Sequence, residues 1–182
     1  MKKEFVVGVT GASGSLYARR LLEVLCTDAK VHIIISDVAK RIAAHEGVDL
    51  SGFSAHYHDN NQMFSDIASG SYRYDGMVVI PCSQKTLAAV AQGYADNLIT
   101  RTADVCLKER RKCILVTRET PLSGIHLNNM LAAHNAGALI MPASPGFYHH
   151  PRTINDMVDM VVSRVLDHLG VEHKLTERWG GL

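Results

Sequence analysis

The sequence predicts an α/β protein, a single three-layer α/β/α domain spanning residues 1–182 on a doubly wound, mainly parallel sheet. Three observations predict it. Short apolar runs alternate with longer amphipathic stretches along the whole chain. The runs are continuous rather than alternating, as in strands covered on both faces. Finally, the polar and Gly-rich clusters fall just after the apolar runs, where an open parallel sheet binds its ligands.

Phe5-Val6-Val7-Gly8-Val9 reads as the first strand, followed by a small-residue turn and a helix from about Leu16 to Cys26. Val31–Ile35 is the second strand, with a helix over Val38 to His45. The stretch from Gly47 to Tyr74 is the least regular and reads as a long connection with a short edge strand. Met77–Ile80 is the next strand, followed by a helix that starts near Lys85, and the basic run Lys108-Glu109-Arg110-Arg111-Lys112 stands just before the following strand. Cys113–Val116 and Ala138–Met141 are two further strands, with Leu122 to Ala136 helical between them. The last helix, about Thr153 to Leu169, carries Ile154, Met157, Val158, Val161, Val162, Val165 and Leu166 at helical spacing, and Gly170 is its stop. Strand–helix alternation of this kind implies right-handed crossovers.

Composition removes several function classes. With 182 residues and 47% hydrophobic side chains the chain can bury a core, and its formal charge of +1 gives no reason to expect a nucleic-acid partner. The run at 108–112 reads as a solvated helix end. No apolar run approaches the roughly 20 residues of a membrane span. The four cysteines (Cys26, Cys82, Cys106 and Cys113) form no C-x-x-C pair, and no secretory leader pattern is visible, so a reducing cytoplasm is the expected compartment. Cys82 reads as a small buried residue. Of the ten histidines, His56-x-His58 and His149-His150 are the closest groupings, and neither has the spacing of a metal site.

Five clusters sit at strand ends. The first is Thr10-Gly11-Ala12-Ser13-Gly14-Ser15, small enough for a backbone to approach a phosphate at a helix start. It lacks the G-x-G-x-x-G and P-loop patterns. It is similar to the T-G-x-x-x-G-x-G start of short-chain dehydrogenases, but no tyrosine is followed four residues later by lysine, so that hydride-transfer reading has no acid–base pair. The second cluster is Ser36-Asp37, with Asp37 a helix-start residue. The third, Pro81-Cys82-Ser83-Gln84-Lys85-Thr86, offers hydroxyls, an amide and a lysine ahead of a helix. The fourth is Thr117-Arg118-Glu119-Thr120-Pro121-Leu122, whose Arg and Glu suit either proton transfer or a structural ion pair. The fifth is the stiff aromatic loop Met141–Tyr148.

Taken together, Gly8–Gly14, Pro81–Ala88, Asp96–Val105, Arg118–Leu122 and Phe147–Ile154, with Arg164 in the final helix, resemble the UbiX family of flavin prenyltransferases over nearly the whole chain. The resemblance implies a Rossmann-like flavoprotein that joins a dimethylallyl group from dimethylallyl phosphate to N5 and C6 of reduced FMN. Prenylated FMN then serves a separate decarboxylase. It implies FMN contacts from Gly11, Ala12, Ser13, Ser36, Ser83, Gln84, Lys85, Thr86 and Arg118. Arg101, Lys108, Tyr148 and Arg164 are implied to hold the dimethylallyl phosphate, and Glu119, Glu46 and Ser13 to act in catalysis. Trp179 matches an aromatic in the C-terminal tail. No metal is implied, and the family's large homo-oligomers (dodecamers) place sites at subunit interfaces. Two departures stand out: Gln84 replaces a common Met, and Ser123-Gly124 replaces bulkier residues. Two rivals are a flavin-dependent cysteine decarboxylase, whose Asn-rich turn has no match here, and a non-catalytic flavin carrier or companion subunit. The carrier reading leaves the cations at 101, 108 and 164 without a purpose.

Overall fold

The computed structural model describes residues 2–178, so Trp179 lies outside the described residues. In chain order the elements are β1 (Glu4–Val9), α1 (Ser15–Asp28), β2 (Lys30–Ile35), α2 (Asp37–His45), β3 (His56–His58), a 3-10 turn (Asp66–Ala68) and β4 (Gly76–Cys82). There follow α3 (Gln84–Ala91), α4 (Leu98–Lys108), β5 (Lys112–Thr117), α5 (Gly124–Asn135), β6 (Leu139–Pro142) and α6 (Ile154–Leu169). The six strands form one parallel sheet in the order β3-β2-β1-β4-β5-β6.

Each inner strand divides its side chains between two cores, as period-two geometry requires. Phe5, Val7 and Val9 of β1, Val78 and Ile80 of β4, and Ile114 and Val116 of β5 face one layer, built with α1, α2 and α6. Val6, Met77, Val79, Cys113 and Leu115 face the other, with α3, α4 and Ala133 of α5. Covering both faces is what makes these strands read as unbroken apolar runs.

Two expectations change. The helix expected near Lys85 is α3, and a second helix follows it before β5, because Gly93 takes a left-handed φ of 67° and Asn97 starts α4 afresh with a capping box to Thr100. Helix α5 starts later than Leu122: Ser123 is its cap, and Leu122, Ile125, Leu127 and Leu131 are exposed. Only Ala133 of α5 is buried, leaving an uncovered apolar face. No described helix is long and apolar enough to cross a membrane.

Candidate active site

In the order β2-β1-β4-β5, the connections after β1 and β4 leave toward opposite faces of the sheet, opening a crevice at their carboxyl ends. Thr10 fixes that crevice. Its hydroxyl donates to the Pro81 carbonyl at 2.8 Å and accepts the Ser83 amide at 2.8 Å, tying the end of β1 to the end of β4.

Three helices begin at the crevice. Ser36, Ser83 and Asn97 cap α2, α3 and α4, their side chains accepting the amides of Ala39, Thr86 and Thr100. The remaining first-turn amides of α2 and α3 lack helical partners and favour a negative charge, whereas at α4 the Leu98 and Ile99 amides are taken by the carbonyl and side-chain oxygens of Asn60. The pocket between them has a volume of about 450 Å³. One wall is Thr10, Gly11 and Ala12, facing Ser36 and Val38 at the start of α2. Ser83–Thr86 form the base, Asn60, Asn97 and Ile99 a third side, and Arg118 and Glu119 close it from the end of β5. Gly11 is required by close approach, since a Cβ there would lie 2.7 Å from Val38 Cγ1.

The charged groups have separate tasks. Arg118 Nε donates to the Ser13 carbonyl at 3.3 Å, while Glu119 Oε1 accepts its neighbour's Thr120 amide at 3.1 Å. Among the described ion pairs, none joins Arg118 to Glu119, so the structural-pair reading of these two is set aside. Glu46 lies under the small-residue turn, accepting the amides of Gly14 at 2.9 Å and Ser15 at 2.8 Å. Burial alone would raise its carboxyl pKa. Hydrogen bonds from the Ser13 side chain and from those two amides outweigh burial and hold it below the ordinary carboxylate value. Asp37 is an exposed helix-start residue paired with Lys40 at 2.9 Å, as its position suggested. Cys82 is wholly buried, and burial pushes its thiol up to about 12, which suits packing rather than reactivity.

The structure therefore gathers Gly11, Ala12, Ser36, Ser83, Gln84, Lys85, Thr86, Arg118 and Glu119 into one pocket, with Ser13 and Glu46 bracing its turn. It does not bring the four expected donor-substrate residues there within this chain. Tyr148 and Arg164 line a second cavity of about 360 Å³ beside Met160 and Asp167. Arg101 donates to the Ala68 carbonyl at 3.2 Å and to Asp104 at 2.7 Å, and Lys108 pairs with Glu109. Helix α4 opens at the pocket and rises about 1.5 Å per residue, which carries Lys108 roughly 15 Å from Leu98. Asn60, Val38, Asn97 and Ile99 line the pocket without having been singled out from sequence. Asn97 was visible as a helix cap inside the Asp96–Val105 motif, whereas Asn60 lies in the irregular stretch that gave no signal.

The pocket fits a flat, phosphorylated heterocycle. Helix-start amides and Arg118 suit the phosphate, and Val38, Ile99 and Ala12 give apolar walls. Both polar atoms of the Gln84 amide are buried without a hydrogen-bond partner, a cost of about 1–3 kcal/mol that a ligand edge with a donor and an acceptor would relieve. FMN has these features.

Comparison with known proteins agrees with this chemistry. The Flavoprotein family profile matches residues 1–166. The flavin prenyltransferase UbiX of Methanocaldococcus jannaschii is 49% identical over 181 residues, covering 97% of this chain and 98% of that protein. A crystal structure of AnUbiX in complex with FMN and dimethylallyl pyrophosphate superposes with a TM-score of 0.95 at 42% identity, covering all of both chains. The dodecameric FMN-dependent UbiX-like decarboxylase from Escherichia coli O157:H7 gives a TM-score of 0.93 at 45% identity, covering 98% of this chain and 100% of that one.

Proposed function

The chain belongs to the UbiX flavin prenyltransferases of the flavoprotein family, and from that premise we propose that it transfers a dimethylallyl group from dimethylallyl phosphate to reduced FMN. The observation that carries this reading is the convergence of the N-termini of α2 and α3 with Arg118 on one apolar-walled pocket with an unsatisfied amide. When bound, reduced FMN supplies the nucleophilic N5 and C6 to which the dimethylallyl carbons become joined.

The residues divide the remaining work. Ionising the allylic C–O bond puts charge on the departing phosphate, and fixed cations in a water-poor site stabilise that charge without reorganisation. Arg118 provides one such cation in the pocket itself. Arg101, Lys108 and Arg164 provide the others from neighbouring copies, with Tyr148 as the aromatic wall that tolerates the allyl cation. A homo-oligomer, a dodecamer by analogy with its relative, brings these residues to the pocket. Ser13 is held by Glu46, whose ionised carboxylate accepts the Ser13 hydroxyl and keeps the turn in shape for the flavin. Ring closure releases a proton, and the Glu119 carboxylate at the pocket rim takes it up together with the freed phosphate. The prenylated product passes to a separate decarboxylase.

The reaction breaks one C–O bond per turnover, so inorganic phosphate is its marker. Anaerobic incubation of the protein with dimethylallyl phosphate is expected to release phosphate in step with reduced FMN consumed, and none with oxidised FMN or with NADH. Phosphate released at the same rate without any flavin would reduce the protein to a phosphatase and refute the transferase reading.

A further inference from the structure

One cluster of titratable groups lies outside the pocket and has no part in prenyl transfer. On the sheet face shared by β1, β2 and β3, the buried His32 ring stands between those of His56 and His58, with centroids 5.1 and 5.0 Å away. Its two nitrogens are both engaged: Nε2 lies 2.7 Å from Glu4 Oε1 and Nδ1 lies 2.8 Å from His58 Nε2. His58 Nδ1 in turn meets Ser65 Oγ at 3.0 Å. At the other end Tyr72 donates to Glu4 Oε1 at 2.6 Å, and Lys30 donates to Tyr72 at 2.9 Å. Asp66 faces His58, Asp75 holds the Glu4 amide, and Tyr74 with Arg111 lies behind Tyr72. Three histidines meet here, yet no group of described residues is arranged as a metal ligand set.

The geometry admits a definite proton count. With Glu4 ionised, His32 must carry its proton on Nε2 to donate to it, so Nδ1 accepts from His58 Nε2, and His58 Nδ1 accepts from Ser65. Every contact is then satisfied with both rings neutral. One added proton can be held by reversing the His32–His58 bond, with Glu4 balancing the charge. A second cannot, because two N–H groups would then face each other across 2.8 Å. The array thus tolerates one extra proton and breaks on the next.

What it holds is a wall of the pocket. Strand β3 is only three residues long and pairs with β2 alone, at the sheet edge. Two residues beyond His58, the Asn60 carbonyl accepts the Leu98 amide at 2.7 Å and its side-chain oxygen accepts the Ile99 amide at 3.2 Å. Asn60 and Ile99 both line the pocket. We propose that the Glu4–His32–His58 chain is a pH-sensitive clasp that positions Asn60 for flavin binding and releases it in acid. This rests on the flavin reading above. Burial holds His32 below the ordinary histidine value against the pull of Glu4, and burial followed by the neighbouring imidazoles does the same for His58. Groups depressed in the closed array take up protons more readily once it opens. The clasp is therefore intact above the ordinary histidine value and is lost as pH falls through the depressed ones.

The test is FMN affinity of the full chain from about pH 8 to about pH 5.5, wild type against His58→Gln. Gln retains an N–H in place of Nε2 and cannot titrate. Titration of the FMN phosphate is common to both proteins and cancels in their ratio. The expected ratio of dissociation constants is near one at the alkaline end and at least about tenfold at the acid end, with wild type the weaker, since each linked proton is worth up to tenfold per pH unit. Glu4→Gln should move the wild-type transition to higher pH, because the closed array loses the carboxylate that accommodates its first proton. A ratio that stays at one, or a Glu4→Gln transition unmoved, overturns the clasp. Absence of FMN binding at the alkaline end in wild type would overturn the flavin reading instead.

Discussion

Under the proposed reaction, substitutions at Glu119, Arg164 and Gly11 should separate chemistry, donor binding and flavin binding. Glu119 lies at the pocket rim and touches only the adjacent Thr120 amide, so Glu119→Gln leaves the Ser13–Arg118 contact and the turn intact. FMN affinity and melting temperature should stay near wild type, while product formation falls by about 10²–10⁴-fold, the usual cost of losing a positioned acid or base. Loss of FMN along with activity would mean that Glu119 is structural. Arg164→Ala should weaken dimethylallyl phosphate binding, with the deficit partly overcome by more substrate. Gly11→Ala acts on the flavin instead: its Cβ would meet Val38 Cγ1 at 2.7 Å, and overpacking of this kind costs about 1–3 kcal/mol. Fluorescence titration should show weaker FMN binding, and unchanged affinity would contradict the close approach of turn and helix. Gly11, Gln84, Arg118 and Glu119 were legible because they cluster after strands. Asn60 and the His32 array were not, because their partners are brought together only by the pairing of β2 with a strand three residues long.

At the scale of elements, helix starts are what the site is made from. Ser36, Ser83 and Asn97 each cap a helix that opens on the pocket, so their first duty is to the backbone. Removing the Asn97 cap should cost about 1 kcal/mol. For a chain of this size that is a fall of about 2–4 °C in melting temperature. The loss of FMN affinity should exceed what this destabilisation explains, since Asn97 also lines the pocket. Calorimetry with flavin titration checks both, and a stability loss with unaltered affinity would confine Asn97 to capping. The strands and most helices were readable because burial on both faces leaves continuous apolar runs. The break between α3 and α4 was harder to place, because it rests on Gly93 and the Asn97 cap, single residues within the short segment Gln92–Asn97. The shifted start of α5 has the opposite cause: Leu122, Ile125 and Leu127 look like core yet are exposed in the single chain.

The whole molecule explains why a single chain leaves its cations apart. Arg118 and Glu119 line one cavity, Tyr148 and Arg164 another, and Arg101 with Lys108 lies on α4 outside both. The apolar face of α5 is free to bury against another copy. If each site combines Glu119 of one copy with Arg164 of another, co-expressing Glu119→Gln and Arg164→Ala chains should restore about a quarter of wild-type activity by random assembly. Activity no higher than the sum of the separate variants would place both residues in one chain's site. The central claim, that this fold makes a carbon-modified flavin rather than merely holding one, is tested most directly by mass spectrometry of the flavin after anaerobic incubation with reduced FMN and dimethylallyl phosphate. The account predicts a flavin heavier by one C5H8 unit, formed only with active protein and lost with Glu119→Gln. Recovery of unmodified FMN alone, from protein that binds it stoichiometrically, would contradict it.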